Sequence, residues 1–226
     1  MARTRRPHLN ITDIRGLKYP DEYMIRFFYK AGLDKRTGHV VEAGAGNGNN
    51  LALFAEYGWK VTGIDLLEEA TADAAANFAH HSDAKFLTHD LDEGLPPGLD
   101  TPIDCLSLAN VINYLPRENY ERLLAQFADM LSPGAWIFLR TRTPQDYRFG
   151  RGEQVAPDAF ILDTTETGEN GLLNVFYEET QMAADFIDVL GVDPDSIVTL
   201  YVDHQNLQQG QVISNSDLIM WAECSR

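Results

Sequence analysis

Three glycines at alternate positions follow an apolar run in the stretch VVEAGAGNGNN. With the preceding acid they give the spacing E-x-G-x-G-x-G, from Glu42 through Gly44 and Gly46 to Gly48. A glycine-rich turn between a strand and a helix brings the backbone close to a nucleotide ligand. This turn does not suit a pyrophosphate, because the dinucleotide fingerprint G-x-G-x-x-G would need its third glycine at Asn49. A phosphate-binding loop is also absent, since the sequence contains no Gly-Lys-Ser/Thr.

Two side chains at the ends of later apolar runs could bind a diol or move a proton. Asp65 ends the second run, 21 residues beyond Gly44, and a carboxylate there can accept hydrogen bonds from both hydroxyls of a diol. His204 adjoins Asp203, and its ordinary pKa suits a general base near neutral pH. The alternative for His204 is a strand-end histidine that is hydrogen-bonded to a loop.

Arginines cluster after the fifth apolar run within an otherwise acidic sequence. Arg140 and Arg142 are followed by Arg148 and Arg151. The planar guanidinium recognises carboxylate and phosphate, so Arg140, Arg142 and Arg148 suggest an anionic substrate. Local pairing is an equal alternative, and its expected partners are Asp146, Glu153 and Asp158.

Strand-like and helix-like segments alternate regularly over the first 141 residues. One stripe of helical period contains Leu66, Ala70, Ala74 and Phe78, and another runs from Tyr120 to Leu131 and stops at Pro133-Gly134. This alternation predicts an α/β fold, with parallel strands and helices on both faces of the sheet. The strand-like runs are HVVEAG (39–44), KVTGID (60–65), KFLTHD (85–90), IDCLSLAN (103–110) and AWIFLRT (135–141).

The regular alternation ends after residue 141. Residues 142–176 are rich in Gly, Asp, Thr and Arg and predict a long, lid-like excursion without regular elements. A helix follows around Met182 and Phe186. Two terminal strands are predicted at 196–204 and 216–224, joined by a turn-rich segment and paired antiparallel.

Composition and charge limit the possible partners. The 226 residues have a formal net charge of −16, which disfavours nucleic acid as a substrate. No apolar run is long enough to span a membrane, and the basic N-terminus lacks the apolar core of a secretory signal. Two cysteines in apolar runs predict reduced thiols and a cytoplasmic location. His80, His81 and Asp83 do not have the spacing of a tight metal site, so no metal is expected.

Several of these motifs, taken together, resemble the class I S-adenosylmethionine-dependent methyltransferases. The acidic-x-G-x-G-x-G turn and the acid at Asp65 match in order and spacing. The fourth strand, in IDCLSLANVINYL, leads to an amphipathic helix, the segment LSPGA and a fifth strand, as in that family. The resemblance is strong over residues 38–141, and Ala135 replaces a more usual glycine. It implies a doubly wound, mostly parallel seven-stranded sheet of the Rossmann-like methyltransferase type, in residues 38–226. Residues 1–37 would form a basic arm and a helix over the cofactor cleft.

The resemblance also implies a cofactor, S-adenosyl-L-methionine, with S-adenosyl-L-homocysteine as product. The three glycines would pass beneath its methionine moiety, and Glu42 would orient the turn or reach the cofactor amine through water. Asp65 would bind the ribose, Asp90 would lie near the adenine amino group, and Asn110 would meet the amino-acid end. The predicted cofactor-binding residues are Glu42, Gly44, Gly46, Gly48, Asp65, Leu66, Asp90, Leu91 and Asn110.

Catalytic and substrate roles follow from the strand ends that would surround the acceptor. His204 and Tyr114 are the predicted catalytic residues, and for Tyr114 a core aromatic is an equal alternative. The predicted substrate-binding residues are Asn113, Arg140, Arg142 and Arg148.

The predicted function is methyl transfer by in-line displacement to a small metabolite, and the arginines suggest that this metabolite is anionic. The chain lacks the (Asp/Asn)-Pro-Pro-Tyr turn of DNA amino-methylating enzymes, because Asn110-Val111-Ile112-Asn113 stands in its place. The expected partner is the small-molecule acceptor, with no nucleic acid or membrane, and the expected state is a monomer or homodimer. Two alternatives are a non-catalytic cofactor-binding module and a nicotinamide-dependent oxidoreductase.

Overall fold

Residues 11–225, which the computed structural model describes, form five α-helices and ten β-strands. The helices are α1 (Glu22–Lys30), α2 (Leu51–Glu56), α3 (Glu68–Asn77), α4 (Arg117–Ala128) and α5 (Glu179–Asp188). The strands are β1 (His39–Ala43), β2 (Lys60–Asp65), β3 (Ala84–Thr88), β4 (Ile103–Ala109), β5 (Leu131–Arg142), β6 (Glu153–Ala156), β7 (Ala159–Ile161), β8 (Leu173–Val175), β9 (Val198–Gln208) and β10 (Gln211–Glu223).

Seven of these strands make one sheet in the order β3-β2-β1-β4-β5-β10-β9. Strands β1 to β5 pair in parallel, and β10 pairs antiparallel with both β5 and β9. The carboxyl ends of β1, β2, β3, β4 and β5 therefore meet at one edge of the sheet. The prediction of a mostly parallel, seven-stranded sheet with a terminal antiparallel pair is confirmed.

Helices cover both faces of this sheet, which is why its inner strands are apolar on both sides. Val40 of β1 belongs to the core beneath α1 and α2, whereas the next residue, Val41, belongs to the core beneath α4 and α5. Helix α1 packs into the first core, and its Phe27 ring centroid lies 5.2 Å from that of Phe138. This helix thus lies against the sheet, and the segment before it, residues 15–21, crosses the glycine turn.

Two helix predictions need correction. Helix α4 ends at Ala128, and Leu131 already pairs with Ile103 as part of β5, so the helix does not continue to Pro133-Gly134. In the stripe that was predicted from Leu66 to Phe78, α3 begins only at Glu68, and Leu66 lies before it with an exposed fraction of 61%. Leu66 is therefore not a core residue of that helix.

The terminal hairpin is longer than predicted, and the prediction of a long, turn-rich link between its strands was wrong. Strands β9 and β10 pair continuously from Trp221–Val198 to Gln211–Gln208. Only Gln209 and Gly210 form the turn, with φ values of +46° and +81°. Two central residues with positive φ suit a tight hairpin, because their twist matches that of the strands.

The excursion after β5 contains regular structure that was not predicted. Strands β6, β7 and β8 form a small antiparallel sheet. A small cluster of buried side chains supports this sheet: Phe160, Leu162 and Phe176. The strands have only three or four residues each, too few to show an alternating pattern in the sequence.

Candidate active site

The glycine turn after β1 needs glycine at all three positions for its backbone conformation. Gly44, Gly46 and Gly48 have φ values of +70°, +53° and +81°, which disfavour any residue with a Cβ atom. Space matters as well at Gly44, where a Cβ atom would lie 2.7 Å from the Cβ of Val111. At Gly46 a Cβ atom would meet nothing within 4 Å. The turn therefore packs tightly against the end of β4 and is open at its middle.

A cavity of about 500 Å³ lies at the carboxyl edge of the sheet, beside this turn. It is lined by the ends of β1, β2 and β4, by the segment after β3, and by Leu172 and Leu173 of the excursion. Seven predicted site residues line this cavity: Gly44, Asp65, Leu66, Asp90, Leu91, Asn110 and Tyr114. Residues from four separate segments of the sequence thus meet at one place.

The two predicted carboxylates are fixed by backbone N–H groups. Asp65 accepts a hydrogen bond from the N–H of Gly46 at 2.8 Å with Oδ2 and one from the N–H of Leu67 at 3.0 Å with Oδ1. Asp90 accepts from the N–H of Asp92 at 2.9 Å. A carboxylate oxygen can accept two hydrogen bonds, so Asp65 keeps capacity on both oxygens for a pair of hydroxyls.

Glu42 is buried at the end of β1, with 1% of its surface exposed. Its Oε1 accepts hydrogen bonds from Asn50 Nδ2 at 2.7 Å and from Ser107 Oγ at 3.1 Å. Its Oε2 is also buried and has no hydrogen-bond partner among residues 11–225. Burial raises the pKa of Glu42 to about 7, although the hydrogen bonds from Asn50 and Ser107 act in the opposite direction. An unpaired carboxylate oxygen next to the glycine turn suits a ligand that carries a positive group.

Asn110 adopts an unusual backbone conformation where β4 ends. Its φ is +56°, and its N–H donates to the carbonyl of Arg140 at 2.8 Å. Asparagine tolerates this region better than most residues. Such a conformation turns the chain sharply at the cavity wall, a position where functional sites often hold strained backbone.

Carboxylates pair with all three predicted arginines, and of these only Arg142 has a described side-chain contact with a residue of the cavity, Tyr114. Arg140 contacts both Asp21 and Asp217. Arg148, with 3% of its surface exposed, contacts Glu169 and lies 3.0 Å from Asp146. The ion pair with Asp146 follows the local-pairing alternative, whereas Glu169 was not among the expected partners.

Tyr114 connects the cavity to this group of charges. Its hydroxyl donates to Glu169 Oε1 at 2.7 Å, and Arg142 Nη2 donates to Tyr114 Oη at 3.2 Å. Arg142 also pairs with Glu169 at 2.7 Å and contacts Asn174. Glu169 therefore connects the excursion with Tyr114, which lines the cavity.

Eight predicted residues do not line the cavity: Glu42, Gly46, Gly48, Asn113, Arg140, Arg142, Arg148 and His204. His204, on the edge strand β9, has 43% of its side chain exposed, and its Nδ1 is 3.9 Å from Asp217 Oδ2. Asn113 is completely buried, and neither its Oδ1 nor its Nδ2 has a partner in the described part of the chain. Neither residue is placed to contact a ligand in the cavity, which weakens the prediction of His204 as the base.

The asparagines of the sequence GNGNN hold the segment that precedes α1. Asn47, Asn49 and Asn50 all use their side-chain amides on the backbone of residues 15–21. The bonds are Asn47 with Arg15 and Leu17, Asn49 with the carbonyl of Tyr19 at 3.0 Å, and Asn50 with the N–H of Asp21 at 2.8 Å. Asn49 thus explains the missing third glycine, because a side chain is needed there.

The residues that sequence reasoning missed are the partners of these groups: Asp21, Asn50, Glu169 and Asp217. Only the polar run GNGNN signalled any of them. Within residues 11–225, no three His, Cys, Asp or Glu side chains are grouped to hold a metal ion. Nor does any helix there have the length and apolarity to cross a bilayer.

The sheet order, the glycine turn and the acid at the end of β2 together define a Rossmann-like methyltransferase fold. The family model described as a methyltransferase domain matches residues 17–158, well over half of the chain. The chain belongs to this family, and it is a class I S-adenosylmethionine-dependent methyltransferase. No curated protein sequence matches the chain significantly.

Solved structures share the fold at low sequence identity. An S-adenosylmethionine-dependent methyltransferase from Methanosarcina mazei aligns with a TM-score of 0.60 at 17% identity, over 81% of this chain and 92% of its own. The 1,6-didemethyltoxoflavin-N1-methyltransferase of Burkholderia thailandensis aligns with a TM-score of 0.62 at 16% identity, over 96% and 80%. The N-methyltransferase NodS of Bradyrhizobium japonicum, in complex with S-adenosylhomocysteine, gives 0.54 at 16% identity, over 91% and 87%.

Proposed function

We propose that this enzyme transfers a methyl group from S-adenosylmethionine to a small molecule that binds in the cavity beside Tyr114. The observation that carries the proposal is the convergence of Gly44, Asp65, Asp90 and Asn110 on one cavity of about 500 Å³. That volume falls within the range of sites for small ligands and cofactors.

The residues of the cavity suit the chemistry of this cofactor. Asp65 would accept hydrogen bonds from the ribose hydroxyls, and Asp90 would accept one from the adenine amino group. The adenine ring would lie between Leu66 and Leu91. The buried Oε2 of Glu42 would face the cofactor ammonium, which would satisfy the oxygen that has no protein partner. When bound, S-adenosylmethionine supplies an electrophilic methyl group on a positively charged sulfur.

The protein's own part is to align the acceptor and to remove its proton. Tyr114 is the residue best placed for this, because it lines the cavity while its hydroxyl is fixed by Glu169 and Arg142. Leu172 and Leu173 would exclude water from the same space.

The pairing of the arginines argues against an anionic acceptor, in contrast to the expectation from the arginine cluster. The side chains of Arg140, Arg142 and Arg148 are paired with four carboxylates: Asp21, Asp146, Glu169 and Asp217. The group therefore carries a net negative charge. Freeing Arg140 would leave Asp21 and Asp217 unpaired, and freeing Arg148 would leave Asp146 unpaired, at a cost of several kcal/mol.

A small-molecule acceptor is favoured by the volume of the cavity, which lies in the range of small-ligand sites. Structural neighbours include enzymes named for a small heterocycle and for a glycopeptide, so the fold accommodates both kinds of acceptor. The methyltransferase family argues against both alternatives, a nicotinamide-dependent oxidoreductase and a non-catalytic module.

Calorimetric titration with S-adenosylhomocysteine would test the proposal, with NAD as the control ligand. We expect micromolar binding of S-adenosylhomocysteine and none of NAD. Asp65→Ala should weaken binding by at least about tenfold, since hydrogen bonds to charged groups contribute about 1.5–3 kcal/mol. The matched control is Asp129→Ala, which removes an exposed carboxylate outside the cavity and should bind normally. Binding of NAD, or normal affinity in Asp65→Ala, would contradict the proposal.

A further inference from the structure

The hydroxyl of Tyr114 has its single proton committed before any ligand binds. It donates this proton to Glu169 Oε1 at 2.7 Å and accepts a hydrogen bond from Arg142 Nη2 at 3.2 Å. A phenolic oxygen has one proton and two acceptor positions. Toward the cavity, Tyr114 can therefore only accept a hydrogen bond.

The partner of Tyr114 is held as an anion. Burial would raise the pKa of Glu169, but Arg142, the Tyr114 hydroxyl and Arg148 together keep that pKa below its ordinary value. Arg148 is itself fixed by Asp146 and by Asn215, each at 3.0 Å. The carboxylate thus stays charged and oriented, so the direction of the Tyr114 hydroxyl is set.

The rest of the cavity offers little to a negative ligand. In the described part of the chain its lining contains no Lys or Arg, and it includes three carboxylates, Asp65, Asp90 and Asp92. A negative group there would lose its hydration without gaining a cationic partner. A neutral or cationic group that carries hydrogen would instead find an acceptor at Tyr114.

We propose that Tyr114 and Glu169 form a proton-accepting pair that selects an acceptor whose nucleophile carries a hydrogen, such as an amine, an N–H heterocycle or a hydroxyl. This inference rests on the proposed function and names its substrate class. The N–H or O–H bond of the acceptor breaks, and its electron pair stays on the nucleophile that takes the methyl group. Its proton moves to Tyr114 Oη while the phenolic proton passes to Glu169 Oε1, which becomes a carboxylic acid and later releases the proton to water.

Two known cofactor analogues allow a test that needs no identified acceptor. S-adenosylhomocysteine is neutral at sulfur, whereas sinefungin carries an ammonium on the carbon that replaces the sulfur. An ammonium near the methyl-transfer position would donate to Tyr114 Oη under the field of Glu169. We expect the wild type to bind sinefungin at least about tenfold more tightly than S-adenosylhomocysteine in calorimetric titration, because a charge-assisted hydrogen bond is among the stronger kinds.

Two variants decide whether the pair is responsible. Tyr114→Phe keeps the ring and the ion pairs of Glu169, so it is the variant least disturbing to the fold. Glu169→Gln removes the charge. Each should reduce the preference for sinefungin to about threefold or less, while the affinity for S-adenosylhomocysteine changes by less than about threefold. The matched control is Tyr201→Phe, which removes a hydroxyl that donates to Glu179 at 3.1 Å, outside the cavity, and should keep the full preference.

Each outcome has a distinct meaning. A preference that persists in Tyr114→Phe overturns the proposal, and so does a wild type that shows no preference. An equal loss of affinity for both ligands in both variants would mean that the pair only supports the shape of the cavity, and this result also overturns the proposal. If Glu169→Gln fails to fold, Tyr114→Phe decides alone. If the wild type binds neither ligand, the proposed function itself fails, and that failure is recognisable before any variant is made.

Discussion

Replacing Glu42 with glutamine should stabilise the free protein at alkaline pH, and the size of the effect can be worked out. The pKa of Glu42 rises from an ordinary value of 4.5 to about 7 because the side chain is buried. That difference corresponds to a penalty of about 3 kcal/mol for holding the ionised form in the folded state. Glutamine keeps an oxygen to accept from Asn50 and Ser107, and it has no charge to bury.

The sign of the pH dependence follows from the raised pKa in the folded state. The folded protein holds a proton on Glu42 that the unfolded chain releases near pH 4.5, so stability is lost as the pH rises from there to about 7. Between pH 5.5 and pH 8, the wild type should therefore lose about 2 kcal/mol relative to Glu42→Gln. The lower pH of the measurement is set at 5.5 because the pI of the sequence is about 4.6, and proteins precipitate readily near their pI.

Urea unfolding of the ligand-free protein at these two pH values measures the difference. Glu118→Gln on α4 is the control, because that side chain is exposed and should show no pH-dependent difference from the wild type. A difference between Glu42→Gln and the wild type that stays constant from pH 5.5 to pH 8 would refute the reasoning. The same variant should bind S-adenosylhomocysteine about tenfold more weakly, since it lacks the charge proposed to face the cofactor ammonium.

Three further predictions concern the turn, the buried charges and a buried histidine. Gly44→Ala should destabilise the protein by about 2–4 kcal/mol, because the strain at positive φ adds to the clash with Val111. Gly46→Ala has the strain without the clash and should lose only about 1–2 kcal/mol of stability. Equal losses for the two variants in urea unfolding would contradict the geometry. Arg148→Ala should cost about 3–5 kcal/mol, because it leaves the buried Asp146 without a cation and Glu169 with Arg142 alone. A loss below about 1 kcal/mol in the same assay would mean that the ion pairs of Arg148 contribute little. His39 is buried, and its burial, together with the positive charge of Lys60, lowers its pKa. The contribution of the neutral imidazole to stability is therefore complete above the ordinary pKa of about 6.5. This contribution declines as the pH falls below that value. His39→Gln should therefore lose less stability than the wild type between pH 7.5 and pH 5.5, and parallel curves in urea unfolding would exclude this role.

The parts of the fold that the sequence predicted are those where one local pattern decides the outcome. Runs such as HVVEAG have to be strands buried on both faces, and glycines at alternate positions mark a turn with positive φ. Asp65 could be assigned from its distance to Gly44, because both positions lie at ends of neighbouring parallel strands. These features need no knowledge of distant contacts.

The parts that could not be predicted depend on long-range pairing. Glu169 lies in a segment of turn-forming residues and differs in no local respect from Glu166 or Glu153, yet it meets Tyr114 across 55 positions. The actual partners of Arg140 could not be predicted, because Asp21 and Asp217 are 119 and 77 positions away in the sequence. Charges of this kind show their role only when the topology brings them together.

The contacts of Asn47, Asn49 and Asn50 with residues 15–21 make the beginning of the described chain and the glycine turn one cooperative unit. The backbone amides of Leu17 and Asp21 are bonded to the turn and to nothing else that the structure describes. Their exchange with solvent hydrogen is therefore governed by the opening of the turn, and a ligand that closes the turn should slow it. A shortened protein that begins after residue 21 would remove the backbone partners of all three amide side chains and leave Asn50 with Glu42. Weak binding by such a protein would therefore report damage to the turn and not the absence of a cofactor site.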